Sequence, residues 1–523
     1  MRYSDCCRAF AILACLLAPT PALAQGFVLG DTPGADAAAL TPDGVARAVA
    51  ALPGQVADIM VRSGVPGMAI AVVHGGEVVF LDAYGVRDMR TGEAVTTDTV
   101  FQIASISKPI SATVAAIAVS DGQIGWKDPV RLHLPEFALS DAYVTEHGTI
   151  GDFFAHRSGL PMAAGDDLED LGFDRAAILA RLKLVPLDQF RTSYRYANFG
   201  TTIAAEAVAA AYGREWEDLA DELLFDPLGM DATSYRHADY LAAEERAALH
   251  ALDNGAFAPL YQRNPDAQAP AGGVSSSVRD MAKWVGLLLG DGRRGEHRLF
   301  AADALLPALQ LQINSAPSHS PIERSSGYGY GFNVGVNASG RPNMSHSGAF
   351  VLGAATAFQI MPAADVGIVV LSNGAPVGAV EALVAQFMDI VQFGEPTRDW
   401  FAGYNGMMSG FSRPIGDLVD VDQDADAPSP NHLATYVGTY DNAYFGAAQV
   451  EIENGGLTII LGPNSQRFSL AAWDGSIFAM APHGENAPAG SLSSVKFTAD
   501  RQVASFVIDY LNGNGLGTWT RSQ

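Results

Sequence analysis

The apolar positions of this chain change period several times, and those changes divide it. Between residues 44 and 64, "GVARAVAALPGQVADIMVRSG" spaces apolar residues at three and four, as one helix face requires, with Pro53 expected to interrupt the helix. Next, "GMAIAVVHGGEVVFLDAYG" holds two apolar runs joined at His74-Gly75-Gly76-Glu77 and predicts a β-hairpin. Helical spacing returns over 201–213 and 278–292, each closed by glycine, and again over 380–394. Ahead of the last segment, "GAATAFQIMP" and "VGIVVLSNG" flank Ala363-Ala364-Asp365 and predict a second strand pair. Strands near both ends with helices between them do not alternate as a parallel sheet demands. They predict an α+β domain over 25–410: an antiparallel sheet built from both ends, flanked by helices, with a helical subdomain inserted.

The pattern shifts again beyond 410. Residues 411–430, including "LVDVDQDADAPSPN", are acidic and Pro-containing and read as a linker. From 431 to 523, short alternating runs broken by Asn-Gly-type turns predict a small all-β barrel. The N-terminus differs in another way. Arg2 and Arg8 precede the apolar run "AFAILACLLA" and an Ala22-Leu23-Ala24 cleavage pattern, so 1–24 is expected to be a signal peptide and the protein periplasmic or secreted. Residues 26–42 read as a loose lead-in. All three cysteines (Cys6, Cys7, Cys15) lie in the leader, which leaves the exported chain without a disulfide or a thiol nucleophile. An alternative makes Cys15 a lipidated residue. No later run reaches the roughly 18 apolar residues of a membrane span, so no transmembrane segment is expected.

Composition narrows the function. The chain has 523 residues, 48% of them hydrophobic, enough for more than one core. A net charge of −25 argues against nucleic acid and anionic membranes as partners, since both select basic surfaces. A small-molecule or peptide substrate remains, and nothing marks an oligomeric state. The histidines lack H-x-x-x-H spacing, so neither a metal site nor a cofactor is expected.

One lysine changes this picture. The chain has only five, and Lys108 lies in "FQIASISKPISATVAAIAV", among Ile103, Ile106, Ile110 and Val114. If a helix starts near Ser105, residues three apart share a face, so Ser105 and Lys108 point together while Ser107 points elsewhere. Free serine is a poor nucleophile and needs a base. A lysine serves as that base only if burial lowers its pKa, and these neighbours suit burial. A helix N-terminus beside Ser105 also favours an oxyanion.

Two further motifs are Tyr196-Ala197-Asn198 and His346-Ser347-Gly348. With Ser105-x-x-Lys108, their order resembles the three-motif signature of the serine β-lactamase and penicillin-binding-protein superfamily. "DGQIGWKDPVRLHLPEF", "FFAHRSGLP", "DPLGMDATSY" and "PAGGVSSSVRDMAKW" extend the resemblance, on its class C-like branch, over roughly residues 43–395. The C-terminal module resembles the lipocalin-like barrel appended to some members. The resemblance implies an exported serine hydrolase that cleaves an ester or amide. Ser105 would form the acyl-enzyme and Lys108 would take its proton. Tyr196 would move protons to the leaving group, and Asn198 would hold Lys108 and the substrate amide. His346 would orient Tyr196 or meet a carboxylate. The backbone N–H groups of Ser105 and Ala349, beside Ser347 and Gly348, would form the oxyanion hole.

His346 stands where typical β-lactamases carry a lysine, and H-x-G resembles the D-aminopeptidases and several carboxylesterases. The substrate therefore stays open among a D-amino-acid peptide or amide, a small ester, a D,D-carboxypeptidase substrate and a β-lactam. A penicillin sensor that acylates without turnover and a pure binding protein are the non-enzyme alternatives. Loops 161–174 and 260–268 are expected to set specificity, the barrel is expected to pack on or near the cleft, and His156 is expected to be structural.

Overall fold

The computed structural model describes residues 40–41, 43–499 and 503–522. The expected signal peptide, its cysteines and most of the lead-in lie outside the described residues.

β1 (Gly67–His74) and β2 (Glu77–Asp88) form the first hairpin. Gly75 and Gly76 turn it at φ 62° and 79°, values that glycine adopts without a Cβ clash. β3 (Glu93–Ala94) extends this edge. The other strands of the sheet come from far along the chain: β4 (Ile313–Ala316), β5 (Ser326–Tyr328), β6 (Asn333–Val336), β7 (Pro342–Phe350), β8 (Ala354–Met361) and β9 (Val366–Ser372). The nine strands run antiparallel in the order β4-β5-β6-β7-β8-β9-β1-β2-β3. β9 joins β1 with Ser372 opposite Met68, so the two ends of the domain meet inside the sheet.

β1 is buried on both faces, which explains its unbroken apolar run. Met68, Ile70 and Val72 pack into one core cluster, and Ala69, Ala71 and Val73 into another. The first cluster lies beneath α1 (Gly44–Ser63) and α5 (Ala379–Phe393). By length and composition α1 is apolar enough to cross a membrane, but Ala48, Leu52, Val56 and Ile59 are buried in this core. Pro53 does not interrupt α1, contrary to expectation. Burial of its apolar face offsets the missing N–H bond. The opposite cluster lies beneath α2 (Ser107–Ser120) and α4 (Val278–Leu289) and reaches α3 (Asn198–Tyr212) of the helical region.

Eight more strands, from Gly438–Asp441 to Thr518–Arg521, close into a barrel in chain order. Tyr436, Phe497, Phe506 and Trp519 fill its interior. The acidic stretch does not hang free: Ile415 and Leu418 exchange backbone hydrogen bonds with Leu492, and Asp417 accepts from Ser494 and Lys496. The barrel also grips the 161–174 loop. Tyr444 donates to Asp167 at 3.0 Å, and the Asn486 backbone N–H donates to Asp170 at 3.1 Å.

Candidate active site

Ser105 is half-buried in a 3-10 turn, Ala104–Ile106, that leads directly into α2. Ala104 is fully buried and takes φ 49°, a left-handed conformation that costs a non-glycine residue about 1–2 kcal/mol. Such strain persists only where the surroundings hold it. Ser107 points away as expected, donating to the Ala104 carbonyl and accepting from the Val274 N–H.

Lys108 is completely buried. Its Nζ lies 3.1 Å from Ser105 Oγ, 2.7 Å from Asn198 Oδ1 and 2.9 Å from the Ala271 carbonyl. Burial lowers its pKa to about 7, with Asp166 opposing. The amide and carbonyl oxygens can only accept. In the neutral amine they claim both N–H bonds, and the lone pair is left facing Ser105. Asn198 is held in the matching orientation because its Nδ2 donates to Asp166 at 3.0 Å.

Tyr196 hydrogen-bonds to Ser105, and Lys108 Nζ sits 4.5 Å from its ring centre. Burial pushes the phenol pKa upward, so Tyr196 stays protonated while Lys108 is the readily neutral group. Ser105, Tyr196 and Asn198 line one cleft of about 600 Å³ together with His346, Ser347 and Ala349. Gly348 lies at their back. A Cβ there would stand 2.3 Å from the Ile103 carbonyl and 2.9 Å from Ser105 N, so only glycine lets β7 pass so close to the nucleophile.

His346 makes a contact the sequence did not suggest. Its Nδ1 is 2.6 Å from the Ser347 carbonyl and its Nε2 is 3.0 Å from the Tyr328 hydroxyl. A carbonyl only accepts, so Nδ1 carries the proton and Tyr328 donates to Nε2. Burial, then the charge of Lys108, lowers the His346 pKa to about 3, so the ring is neutral. Its centre lies 6.4 Å from that of Tyr196. His156 packs more closely on Tyr196, at 4.4 Å between centres, and its Nδ1 accepts from the Ala197 N–H. The histidine read as structural therefore supports the Tyr-Ala-Asn segment.

Three acids face the cleft without having been singled out: Asp166, Glu381 and Glu485. Asp166 is buried, and its carboxyl is pushed well upward by burial and by Glu169. Glu485 belongs to the barrel, and its Oε1 accepts from the Val351 N–H at 2.6 Å. Arg263 of the 260–268 loop pairs with Glu169 at 2.6 Å. Tyr328 could have been suspected from the Gly-aromatic alternation around it; Glu381 and Glu485 carry no local signal.

Residues 45–392 match the family profile described as Beta-lactamase, and residues 422–514 match a domain of unknown function, DUF3471. The unguisins hydrolase ungD' of Aspergillus campestris is 29% identical over 59% of this chain, which spans 58% of that relative's length. Penicillin-binding protein 4 of Amycolatopsis lactamdurans is 31% identical over 59% of this chain and 81% of its own. Among solved structures, an octameric penicillin-binding protein homologue from Pyrococcus abyssi covers 88% of this chain and 98% of its own, with a TM-score of 0.58 at 18% identity. That likeness concerns the fold.

Proposed function

The chain belongs to the beta-lactamase family of serine hydrolases, and we propose that it is exported and cleaves an amide or ester bond through an acyl-enzyme on Ser105. The observation that carries this reading is the position of Lys108, 3.1 Å from Ser105 Oγ, buried, with a pKa near neutrality.

Neutral Lys108 takes the Ser105 proton as Oγ bonds to the substrate carbonyl carbon. The carbonyl oxygen gains negative charge and is received by backbone N–H groups at Ser105 and Ala349. As the tetrahedral intermediate collapses, the bond to the leaving nitrogen or oxygen breaks. Tyr196, linked to Ser105, delivers the proton that Lys108 received to that leaving atom. A water then attacks the acyl-enzyme, passes its proton back through the same groups and releases the acid, regenerating Ser105.

The cleft supports a peptide, an amide with a D-residue or a small ester over a penicillin. His346 is neutral where β-lactamases carry a lysine, and Asp166, Glu381 and Glu485 face the same space. A penicillin carboxylate would find a neutral ring at position 346, with Arg263 and Arg413 as the cations elsewhere in the lining.

The test compares the full chain with Ser105→Ala on a p-nitrophenyl ester, a D-alanyl p-nitroanilide and a chromogenic cephalosporin, with intact mass recorded throughout. Turnover confined to unsubstituted Ser105 supports the reading, and the fastest substrate assigns the class. Equal turnover in both proteins would remove Ser105 as the nucleophile. A stable adduct without turnover would make the protein an acylated sensor.

A further inference from the structure

Glu381 is a buried ionisable group in the cleft that the mechanism does not use. It lies in the first turn of α5, behind Gly378, where the backbone of Tyr404 and Asn405 would lie 2.6–2.7 Å from any added Cβ. The helix start is thus pressed against α6 (Trp400–Met408), and the Glu381 side chain is enclosed at 7% exposure while lining the cleft. A carboxylate in a first helical turn is ordinary, because it answers the dipole and free N–H groups. Such a residue normally sits in water. Here one oxygen is buried with no hydrogen-bond partner.

Among the described residues, no cation forms an ion pair with Glu381. Ser347 of β7 donates its hydroxyl to the carboxylate, as does the Glu381 backbone N–H. Tyr404 of α6 faces it with a phenol whose own pKa burial raises. Arg413, Arg263, Asp166, Glu485 and His346 also belong to the cleft, but none of them shifts this carboxyl or forms an ion pair with it. Burial, opposed by those two hydrogen bonds, moves the carboxyl up to about 7. An enclosed carboxylate with a free oxygen, facing a cavity and lacking a cation, is stabilised by a ligand that supplies one.

We propose that Glu381, with the Ser347 hydroxyl oxygen, is a subsite for a primary ammonium group of the substrate. This rests on the cleft being the substrate site, and it narrows the substrate to one bearing an amine. The ammonium donates to the unpartnered carboxylate oxygen, and its positive charge meets the charge that the protein leaves unanswered. A substrate carboxylate in the same place would face an acid, so the subsite rejects what a lysine there would attract.

The experiment measures binding, so that it stands apart from turnover. n-Hexylammonium, 1-hexanol and hexanoate are titrated calorimetrically into full-length Ser105→Ala and into Ser105→Ala with Glu381→Gln, at pH 6 and pH 8. The expected result is hexylammonium bound about tenfold or more tighter than hexanol to the protein with Glu381 intact. That preference should collapse to within about twofold in Glu381→Gln. Binding should also weaken about tenfold from pH 8 to pH 6 as the carboxylate gains its proton. Hexanol binding as tightly as hexylammonium, hexanoate binding best, or Glu381→Gln leaving the series unchanged would overturn the proposal. The ligand series alone decides the matter if Glu381→Gln does not fold. Failure of the hydrolase reading would appear instead as equal turnover with and without Ser105, which leaves these ratios untouched.

Discussion

Lys108, behind Ser105, and Glu485, from the barrel, serve one cleft, and burial acts on them in opposite senses. On the α2 side, burial strips the proton from a base: Lys108 falls from 10.5 to about 7, and its two remaining hydrogens go to Asn198 and the Ala271 carbonyl. On the barrel wall and the loop it grips, burial raises acids: Glu485 of the barrel from 4.5 to about 8 and Asp167 of the loop from 3.8 to about 6. Arg263 is the cation amid Glu169, Asp170 and Glu485, and it raises none of them, since an adjacent positive charge opposes the upward push. The first side uses desolvation to make a reactive group. The second uses it, with one arginine, to fasten the barrel to the loop that flanks the nucleophile.

Replacing the key cation on each side breaks the comparison most sharply. Lys108→Met should lower kcat/KM by roughly 10²–10⁴, the range of a lost general base, and Lys108→Arg should not restore it because arginine keeps its proton. The same Lys108→Met should raise stability in denaturant by about 1–3 kcal/mol at pH 7, the relief of a costly buried amine less two unsatisfied acceptors. Arg263→Met should do the reverse in a denaturant melt, costing about 3–5 kcal/mol because the acids lose their buried partner. Its barrel should also become accessible to limited proteolysis. A stable Arg263→Met with unchanged cleavage would show that the barrel is held by other contacts.

The pH dependence sharpens the contrast through its sign. Between about 4.5 and 8 the folded protein holds the Glu485 proton and the unfolded chain does not, so stability falls as pH rises. Between about 7 and 10.5 the unfolded chain holds the Lys108 proton and the fold does not, so stability rises with pH. Melting temperatures followed from pH 5 to 10 should show both limbs, with Glu485→Gln flattening the lower and Lys108→Met the upper. Activity on an ester without an amine follows Lys108, with kcat/KM increasing through about pH 7. The smallest effect belongs to Tyr328→Phe, which removes the donor to His346 Nε2. It should cost about 1 kcal/mol, read as a roughly fivefold loss in kcat/KM.

Much of this was legible in the chain because it is local. The His74–Glu77 turn, the glycine-closed helices at Gly213 and Gly394, and the Ser105–Lys108 spacing each need only a few neighbouring residues. The short strands β4 to β6 escaped notice because their alternation is weak and much of their surface is exposed. The supports of the site escaped for a different reason: Asp166 reaches Asn198 across 32 residues and Tyr328 reaches His346 across 18.

By itself, then, the sequence determined which residue types could do chemistry and in what order they come, because periodicity and spacing act over a few bonds. Only the tertiary structure decided their charge states. Whether Lys108 is a base, His346 neutral or Glu381 unanswered depends on how much water and which partners remain after distant segments pack. Desolvation is a property of that enclosure, and no stretch of chain carries it alone.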